Sequence, residues 1–247
     1  MERLVSKMIS PQLLRCSDKF TVYALDRLES PSDEFTRVQH KAESLGTSLT
    51  YVRVDVTDDA GLKATISRIA KTHNGINGLI AAAGVQHELP ALQFTAQQVN
   101  ALLAINITGV FTTTQAVAEA MIEYKIQHGS IALIASMSGS VANRNLLSAP
   151  YNISKAGVIQ AGRSFAVELG QHGIRVNTIS PGYVETEMVL GLFSTHPERR
   201  ADWASQNCLG RIGKPEDLQG VAVYLMSDAS TWQTGSDVRV DGGHTAW

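Results

Sequence analysis

The chain has 247 residues, of which 44% are apolar and 18% charged, and its formal net charge at pH 7 is -2. This balance is typical of a globular protein with a sizeable core, and it does not favour an electrostatic nucleic-acid binder. No run of about 18 apolar residues predicts a membrane span. The two cysteines, Cys16 and Cys208, fit a reducing compartment. We therefore expect a cytoplasmic protein that binds neither nucleic acid nor a membrane, and the sequence indicates no metal site.

Strand-like and helix-like segments alternate along the chain. The first predicted helix begins at a cap formed by Ser32 and Asp33 and ends at Gly46, and the segment 95–125 is largely helical. This order predicts an α/β fold, a doubly wound parallel sheet with helices on both faces, in one domain over residues 1–247. Ligands of such sheets bind beyond the carboxyl ends of the strands. The predicted strands are TVYALD, LTYVRVDV, INGLIAAAG, GSIALIASMSG, IRVNTISPG and GSDVRVDGG.

Tyr151 and Lys155 are four residues apart in a predicted helix, which puts both side chains on one helix face. A nearby ammonium lowers the pKa of a phenol, so the pair could exchange a proton with an alcohol or a carbonyl. The simpler alternative is that Tyr151 packs and Lys155 is solvated. Asn106 lies in an apolar helical run, and a buried asparagine must be hydrogen-bonded. It is either structural or holds a water that passes protons on from Lys155.

A set of motifs, in their order along the chain, resembles the short-chain dehydrogenase/reductase family. The resemblance covers roughly residues 20–247 and implies a Rossmann-like, NAD(P)-dependent oxidoreductase that interconverts a secondary alcohol and a ketone. It also implies that Tyr151 is the general acid/base and that Lys155 binds the nicotinamide ribose and lowers the tyrosine pKa. Asn106 would maintain a proton relay. The motifs are INITGVF, IASMSG, YNISKAGV, HGIRVNTISPGYVETEM, RIGKPED and VDGG.

Two serines, Ser136 and Ser138, compete for the role of polarising the substrate oxygen. Many members of the family have this serine 13 positions before the tyrosine, which is Ser138 here. The strand end ASMSG, however, resembles fungal mannitol, arabinitol and sorbose-type enzymes, in which the first serine is catalytic. We favour Ser136, because the strand end is the stronger geometric marker.

The resemblance also implies a set of cofactor-binding residues. Asp26 would bind the adenosine ribose and repel a 2′-phosphate, which favours NAD over NADP, although the adjacent Arg27 could favour the phosphate. Asp55 would contact the adenine, with Val56 beside it, or it could instead cap the following helix. The sequence AAAG, ending at Gly84, replaces the Asn-Asn-Ala-Gly of the family. The remaining predicted cofactor contacts are Asn106, Tyr151, Lys155, Pro181, Gly182, Val184 and Thr186.

The segment between Glu187 and Cys208 resembles the substrate lid of the family. Its apolar residues include Leu190, Phe193 and Trp203, which suggests a partly apolar substrate unless they are ordinary core. We therefore expect a small-molecule alcohol or ketone, with a terpenoid or polyketide alcohol of fungal secondary metabolism favoured over a sugar alcohol. The tail VDGGHTAW resembles a subunit-interface tail, which predicts a homotetramer or homodimer.

One departure from the family is the missing glycine-rich turn, which would contact the cofactor pyrophosphate at a helix N-terminus. The first glycine of the sequence is Gly46, and residues 1–16 do not resemble the family. The first, central strand is expected to be absent as well. The sequence is then either an incomplete or misjoined version of a full enzyme or a degraded paralogue. The retained tetrad implied by the resemblance, Asn106, Ser136, Tyr151 and Lys155, favours the first reading. The second reading implies a non-catalytic interaction subunit.

Overall fold

The structure is a computed structural model that describes residues 20–247. The atypical segment predicted over residues 1–16 lies outside this range. The described residues form six strands and eight α-helices in alternating order, as the sequence predicts. The elements are β1 (Thr21–Asp26), α1 (Asp33–Ser44), β2 (Ser48–Arg53), α2 (Asp59–His73), β3 (Gly78–Ala81), α3 (Ala96–Leu103), α4 (Val110–Glu123), β4 (Ser130–Ile134), α5 (Ala149–Leu169), β5 (Arg175–Pro181), α6 (Glu187–Thr195), α7 (Glu198–Ser205), α8 (Gln219–Met226) and β6 (Asp237–Val240).

The strands are all parallel and form two hydrogen-bonded sheets. One sheet pairs β1 with β2, and the other has the order β3-β4-β5-β6. Within residues 20–247, no strand pairs with the edge of β1 opposite β2 or with the edge of β3 opposite β4. The predicted Rossmann-like α/β class is confirmed, and the break between the sheets agrees with the expected absence of a central strand from the described part of the chain.

Strand β4 shows why helices cover both faces of the larger sheet. Its five residues are all buried, and alternate side chains of a strand point to opposite faces. Ile131 and Leu133 belong to a core cluster with residues of α2, α4 and α5. Ala132 and Ile134 pack on the other face with Leu225 of α8. A parallel sheet that is buried on both faces needs such a continuous apolar run.

The two sheets share one hydrophobic cluster. Val54, which follows β2, belongs to the same cluster as Ile66 of α2, Val117 of α4 and Leu133 of β4. Helix α1 covers the smaller sheet separately through Phe35, which is fully buried. The α2–α4 contact therefore ties β1 and β2 to the four-stranded sheet without a hydrogen bond between the strands.

Local signals set the helix boundaries. The Ser32 hydroxyl accepts a hydrogen bond from the Phe35 backbone amide at 3.2 Å, which confirms the predicted N-cap of α1. Helix α2 is capped by Asp58, whose carboxylate accepts from the Gly61 amide at 3.1 Å. Gly173 has φ +72° after α5, a left-handed conformation that glycine adopts without steric cost.

Helices α3 and α4 join through a π-helical segment, Ala104–Gly109, into a continuous run, Ala96–Glu123. By length and composition this run could cross a membrane, but half of its apolar window is buried inside the protein, and α4 packs against α2. This packing is that of a core helix.

The π segment, which the sequence analysis did not predict, contains Asn106. A Cβ at Gly109 would lie 2.6 Å from Val56 Cγ2. Because glycine has no side chain, Val56, in the loop after β2, can pack on this segment.

Candidate active site

The ends of three neighbouring strands form the candidate site. Gly84 follows β3, Ser136 follows β4, and Pro181 ends β5. Because the strands are parallel and adjacent in the sheet, their carboxyl ends meet at one edge, where ligands of such sheets bind. Helix α5 passes this edge and carries Tyr151 and Lys155.

Lys155 is buried, with 3% of its surface exposed. Its ammonium donates a hydrogen bond to the Ile134 carbonyl at the end of β4, at 2.8 Å. The same nitrogen lies 5.6 Å from the centroid of the Tyr151 ring. The predicted helix face is therefore present, and the alternative of a solvated Lys155 is wrong.

Ser136, and not Ser138, is the serine whose hydroxyl acts on the Tyr151 phenol, where it opposes the rise in pKa that desolvation causes. Both serines are buried, but Ser138 turns its backbone amide towards Ser136, which accepts that hydrogen bond at 3.2 Å. The structure thus brings together the serine that the strand end predicts and the tyrosine. The catalytic role of the pair stays a prediction.

A glycine lets the serine turn approach α5. A Cβ at Gly139 would lie 2.6, 2.7 and 2.8 Å from backbone atoms of Lys155 and Ala156, distances that real Cβ atoms do not reach. Gly139 closes the short helical turn that begins after Ser136. Its missing side chain therefore sets the distance between Ser136 and Tyr151.

Asn106 is fully buried and fully engaged. Its Oδ1 accepts from the Val85 amide at 2.8 Å, and its Nδ2 donates to the Val85 carbonyl at 2.9 Å and to the Ser154 hydroxyl at 3.0 Å. Ser154 in turn donates to the Tyr151 carbonyl at 2.7 Å. The side chain of Asn106 thus has the structural role considered for it and fastens the loop after β3 to α5. The sequence analysis missed Ser154, which its place between Tyr151 and Lys155 on α5 could have indicated.

Burial controls both ionisable groups of the pair. Desolvation raises the pKa of Tyr151 above its ordinary value, and the Ser136 hydroxyl opposes this effect. Desolvation also lowers the pKa of Lys155 to about 8. The net shift of the Tyr151 pKa is therefore upward in this structure, and Lys155 is not among its causes, so the expected lowering by Lys155 stays a prediction. The phenolate would be a buried charge, and the ammonium is directed at Ile134 O instead.

The nicotinamide end of the predicted cofactor site fits the residues that are present. A Cβ at Gly84 would lie 3.4 Å from Asn106 Oδ1 and 3.4 Å from Lys155 Nζ, so the backbone of Gly84 lies directly beside both polar groups. An ammonium has three donors, and Lys155 uses one of them within the described residues, on Ile134 O. The remaining donors of Lys155, beside the backbone of Gly84, suit the hydroxyls of a ribose.

The adenosine end lies on the smaller sheet. Asp26 ends β1, and one of its carboxylate oxygens accepts from the Leu28 amide at 3.0 Å. A cavity of about 350 Å³ beside it is lined in part by Arg27 and Asp55. Asp55 Oδ1 accepts from the backbone and the hydroxyl of Thr57, and these bonds lower its pKa. The alternative that Asp55 caps α2 is wrong, because Asp58 does so.

Three predicted contacts after β5 have structural roles of their own. Gly182 makes room for the C-terminal tail, since a Cβ there would lie 2.7 Å from Asp241 Cα. Val184 is buried in the core beneath α8. Thr186 caps α6 by accepting from the Val189 amide. These three residues and Pro181 lie at the edge of the sheet where the cofactor is predicted to bind, and their contacts with a cofactor stay predictions. The predicted cofactor contact of Val56 also stays a prediction, and in the structure Val56 packs on Gly109.

The predicted lid forms α6 and α7. Phe193 and Trp203 are buried with Leu146 and Ile212, and Tyr183 stacks on Trp203 with ring centroids 4.0 Å apart. These apolar side chains thus fill a cluster of their own. Across residues 20–247, no group of three or more His, Cys, Asp or Glu side chains is placed to hold a metal ion.

Comparisons with known proteins identify similar chains. A family model described as enoyl-(acyl carrier protein) reductase matches residues 22–245. The short-chain dehydrogenase/reductase notP′ of Aspergillus versicolor is 35% identical over 92% of this chain and 79% of its own length. A ribulose-forming D-arabinitol 2-dehydrogenase of Candida tropicalis is 36% identical over 78% of this chain and 69% of its own length. A short-chain type dehydrogenase/reductase from Mycobacterium marinum, known from its crystal structure, has a TM-score of 0.85 and 31% identity over 96% of this chain and 99% of that chain.

The buried ammonium predicts a pH-dependent stability difference between the protein and Lys155→Met. Between pH 8 and 10.5 the unfolded lysine holds its proton while the folded one loses it, so the unfolding free energy of the wild type rises with pH. Relative to Lys155→Met, we expect a gain of about 3 kcal/mol between pH 7 and 10.5, measured by urea denaturation. The variant Lys63→Met, at an exposed site on α2, should follow the wild type. Parallel pH profiles of the wild type and Lys155→Met would contradict the burial argument.

The close approach of Gly139 to α5 predicts that Gly139→Ala lowers the unfolding free energy by about 1–3 kcal/mol. The added carbon meets backbone, which cannot rotate away, so the serine turn must shift. Gly170→Ala, just after α5, is the matched control, because nothing lies within 4 Å of a Cβ at Gly170. The unfolding free energy of this variant should equal that of the wild type or be slightly higher. Equal effects of the two substitutions would show that Gly139 does not set the spacing.

Proposed function

Because this chain belongs to the short-chain dehydrogenase/reductase family, as its motifs predict, we propose that it interconverts a secondary hydroxyl of a polyol with the ketone of the matching ketose. Membership makes it an NAD(P)-dependent oxidoreductase for secondary alcohols and ketones. The neighbouring hydroxyls of Ser136 and Tyr151 carry the proposal, since two hydroxyls at a strand end can hold and protonate one substrate oxygen.

Tyr151 handles the proton. Because burial raises its pKa, the phenol stays protonated at neutral pH and can donate to the oxygen of a ketone. In the reverse direction it must first lose that proton, so oxidation of the alcohol gains from a higher pH. Ser136 donates a hydrogen bond to the same oxygen and orients it. The nicotinamide, when bound, supplies or accepts the hydride.

Lys155 and Gly84 would hold the nicotinamide ribose. With a pKa of about 8, Lys155 is largely protonated at pH 7 and keeps donors for two ribose hydroxyls, while Ile134 O takes the third. Asn106 acts as a positioning residue, because its hydrogen bonds to Val85 and Ser154 keep the end of β3 beside α5.

Two observations support a polyol over the terpenoid or polyketide alcohol that the apolar lid suggests. The lid side chains Phe193 and Trp203 are buried in their own cluster, so they offer little apolar surface to a substrate. Asn143 and the Tyr183 hydroxyl form a polar pair at 3.3 Å beside the lid. The related D-arabinitol 2-dehydrogenase adds to this support.

We propose NAD as the preferred cofactor. Asp26, at the end of β1, is the type of residue that accepts from ribose hydroxyls and repels a 2′-phosphate.

We also propose a homodimer or homotetramer. Phe111 on α4 and Ile153 and Val167 on α5 are 49%, 65% and 83% exposed, and exposed apolar side chains on neighbouring helices favour association.

The catalytic proposal predicts different effects for three single substitutions. With D-arabinitol and NAD, Tyr151→Phe should lower kcat by about 10²–10⁴, and Ser136→Ala by about 10²–10³. Ser138→Ala should lower it by less than about tenfold, because its backbone contact with Ser136 remains. The assay follows the absorbance of reduced nicotinamide. A larger loss in Ser138→Ala than in Ser136→Ala would reassign the serine, and an unaffected rate in Tyr151→Phe would reject the mechanism.

The cofactor proposal predicts that NADH binds at least about tenfold more tightly than NADPH, and that Asp26→Ala narrows this ratio about tenfold. Titration followed by the fluorescence of the reduced nicotinamide measures both affinities. Asp33→Ala, at an exposed site in the first turn of α1, should leave the ratio unchanged. Failure of a folded chain to bind either cofactor would support the non-catalytic interaction subunit instead.

A further inference from the structure

A cavity of about 350 Å³ lies at the ends of β1 and β2, and its walls carry charges of both signs. Arg27, Arg53, Asp55 and Asp58 are among the residues that line it. Arg53 is the last residue of β2 and pairs in register with Asp26 of β1. The guanidinium of Arg53 thus extends from the position directly beside the proposed ribose ligand.

Arg53 is held by two partners on the loop after β1. Its Nη2 lies 2.9 Å from Glu29 Oε1, and its Nε donates to the Arg27 carbonyl at 3.3 Å. The side chains of Arg53 and Glu29 are 60% and 81% exposed. An exposed ion pair of this kind contributes little to stability, so its loss should leave the fold intact.

The two acids that line the cavity are already engaged. Asp55 Oδ1 accepts hydrogen bonds from Thr57, and Asp58 Oδ1 accepts from the Gly61 amide as the cap of α2. Glu29 is therefore the acid that the structure places on Arg53. Arginine is the side chain best suited to bind a phosphate, through its planar fork of donors.

We propose that Glu29 is a specificity-determining residue, which disfavours a 2′-phosphate on the adenosine ribose by occupying Arg53. The inference rests on the proposed function, in which Asp26 binds that ribose. A 2′-phosphate in this cavity has to displace the Glu29 carboxylate from Arg53 while it faces Asp26. An unphosphorylated ribose needs no such exchange.

Two cofactor fragments test this without catalysis, since neither contains a nicotinamide. Adenosine 2′,5′-bisphosphate and 5′-AMP are titrated into the wild type and Glu29→Gln by calorimetry. At low ionic strength, Glu29→Gln should bind the bisphosphate about three- to tenfold more tightly, with 5′-AMP unchanged, and added salt should reduce the gain. Glu43→Gln is the matched control, because Glu43 is also an exposed acid beside a basic partner, His40, but that partner does not line the cavity, whereas Arg53 does.

The double variant Glu29→Gln/Arg53→Gln identifies the partner. It should lose the gain for the bisphosphate, because the gain depends on the released guanidinium. An equal gain in the double variant, or an equal gain for 5′-AMP, would overturn the proposal in favour of a general charge effect. Binding of 5′-AMP with no response to Glu29→Gln would overturn this inference alone. Binding of neither fragment would overturn the proposed adenosine site as well.

Discussion

The buried ammonium of Lys155 is the constraint on which the site depends. A charged group removed from water must be met by hydrogen-bond acceptors or compensating charge, and the Ile134 carbonyl at the end of β4 supplies one acceptor at 2.8 Å. This bond holds α5 against the sheet edge, and it places Tyr151 and Gly84 around the same nitrogen. The rest of the site follows from bringing a helix and three strand ends this close.

Close approach is possible because small residues lie at the contacts. The backbone of α5 occupies the space that a side chain at Gly139 would need, and Val56 occupies the space that a side chain at Gly109 would need. Ser154, also small, fits between Asn106 and the Tyr151 carbonyl and bonds to both. The same burial that positions the groups also sets their chemistry. It keeps Tyr151 protonated and brings the Lys155 pKa down to about 8.

The proposed cofactor residues are divided between the two sheets. The proposed catalytic residues lie at the edge of the four-stranded sheet, and Asp26 and Asp55 lie at the ends of the strands of the smaller one. Within the described residues the link between them is side-chain packing. Val54 belongs to the core shared with α2 and α4, and Val56 contacts the π segment that contains Asn106. The orientation of the adenosine end thus depends on the same core as the catalytic end.

The sequence by itself determined the family, the alternation of strands and helices, and three residues of the candidate tetrad, Asn106, Tyr151 and Lys155, because these depend on local periodicity and on motifs with fixed spacing. It also determined the cap of α1, since Ser32 bonds only three residues ahead. Only the tertiary structure decided between Ser136 and Ser138 as the neighbour of Tyr151, the direction of the tyrosine pKa shift, and the partners of Asn106. It also showed that Phe193 and Trp203 fill a cluster and that Glu29 pairs with Arg53. Hydrogen bonds and desolvation depend on which residues distant in sequence become neighbours, and that is a property of the packed chain.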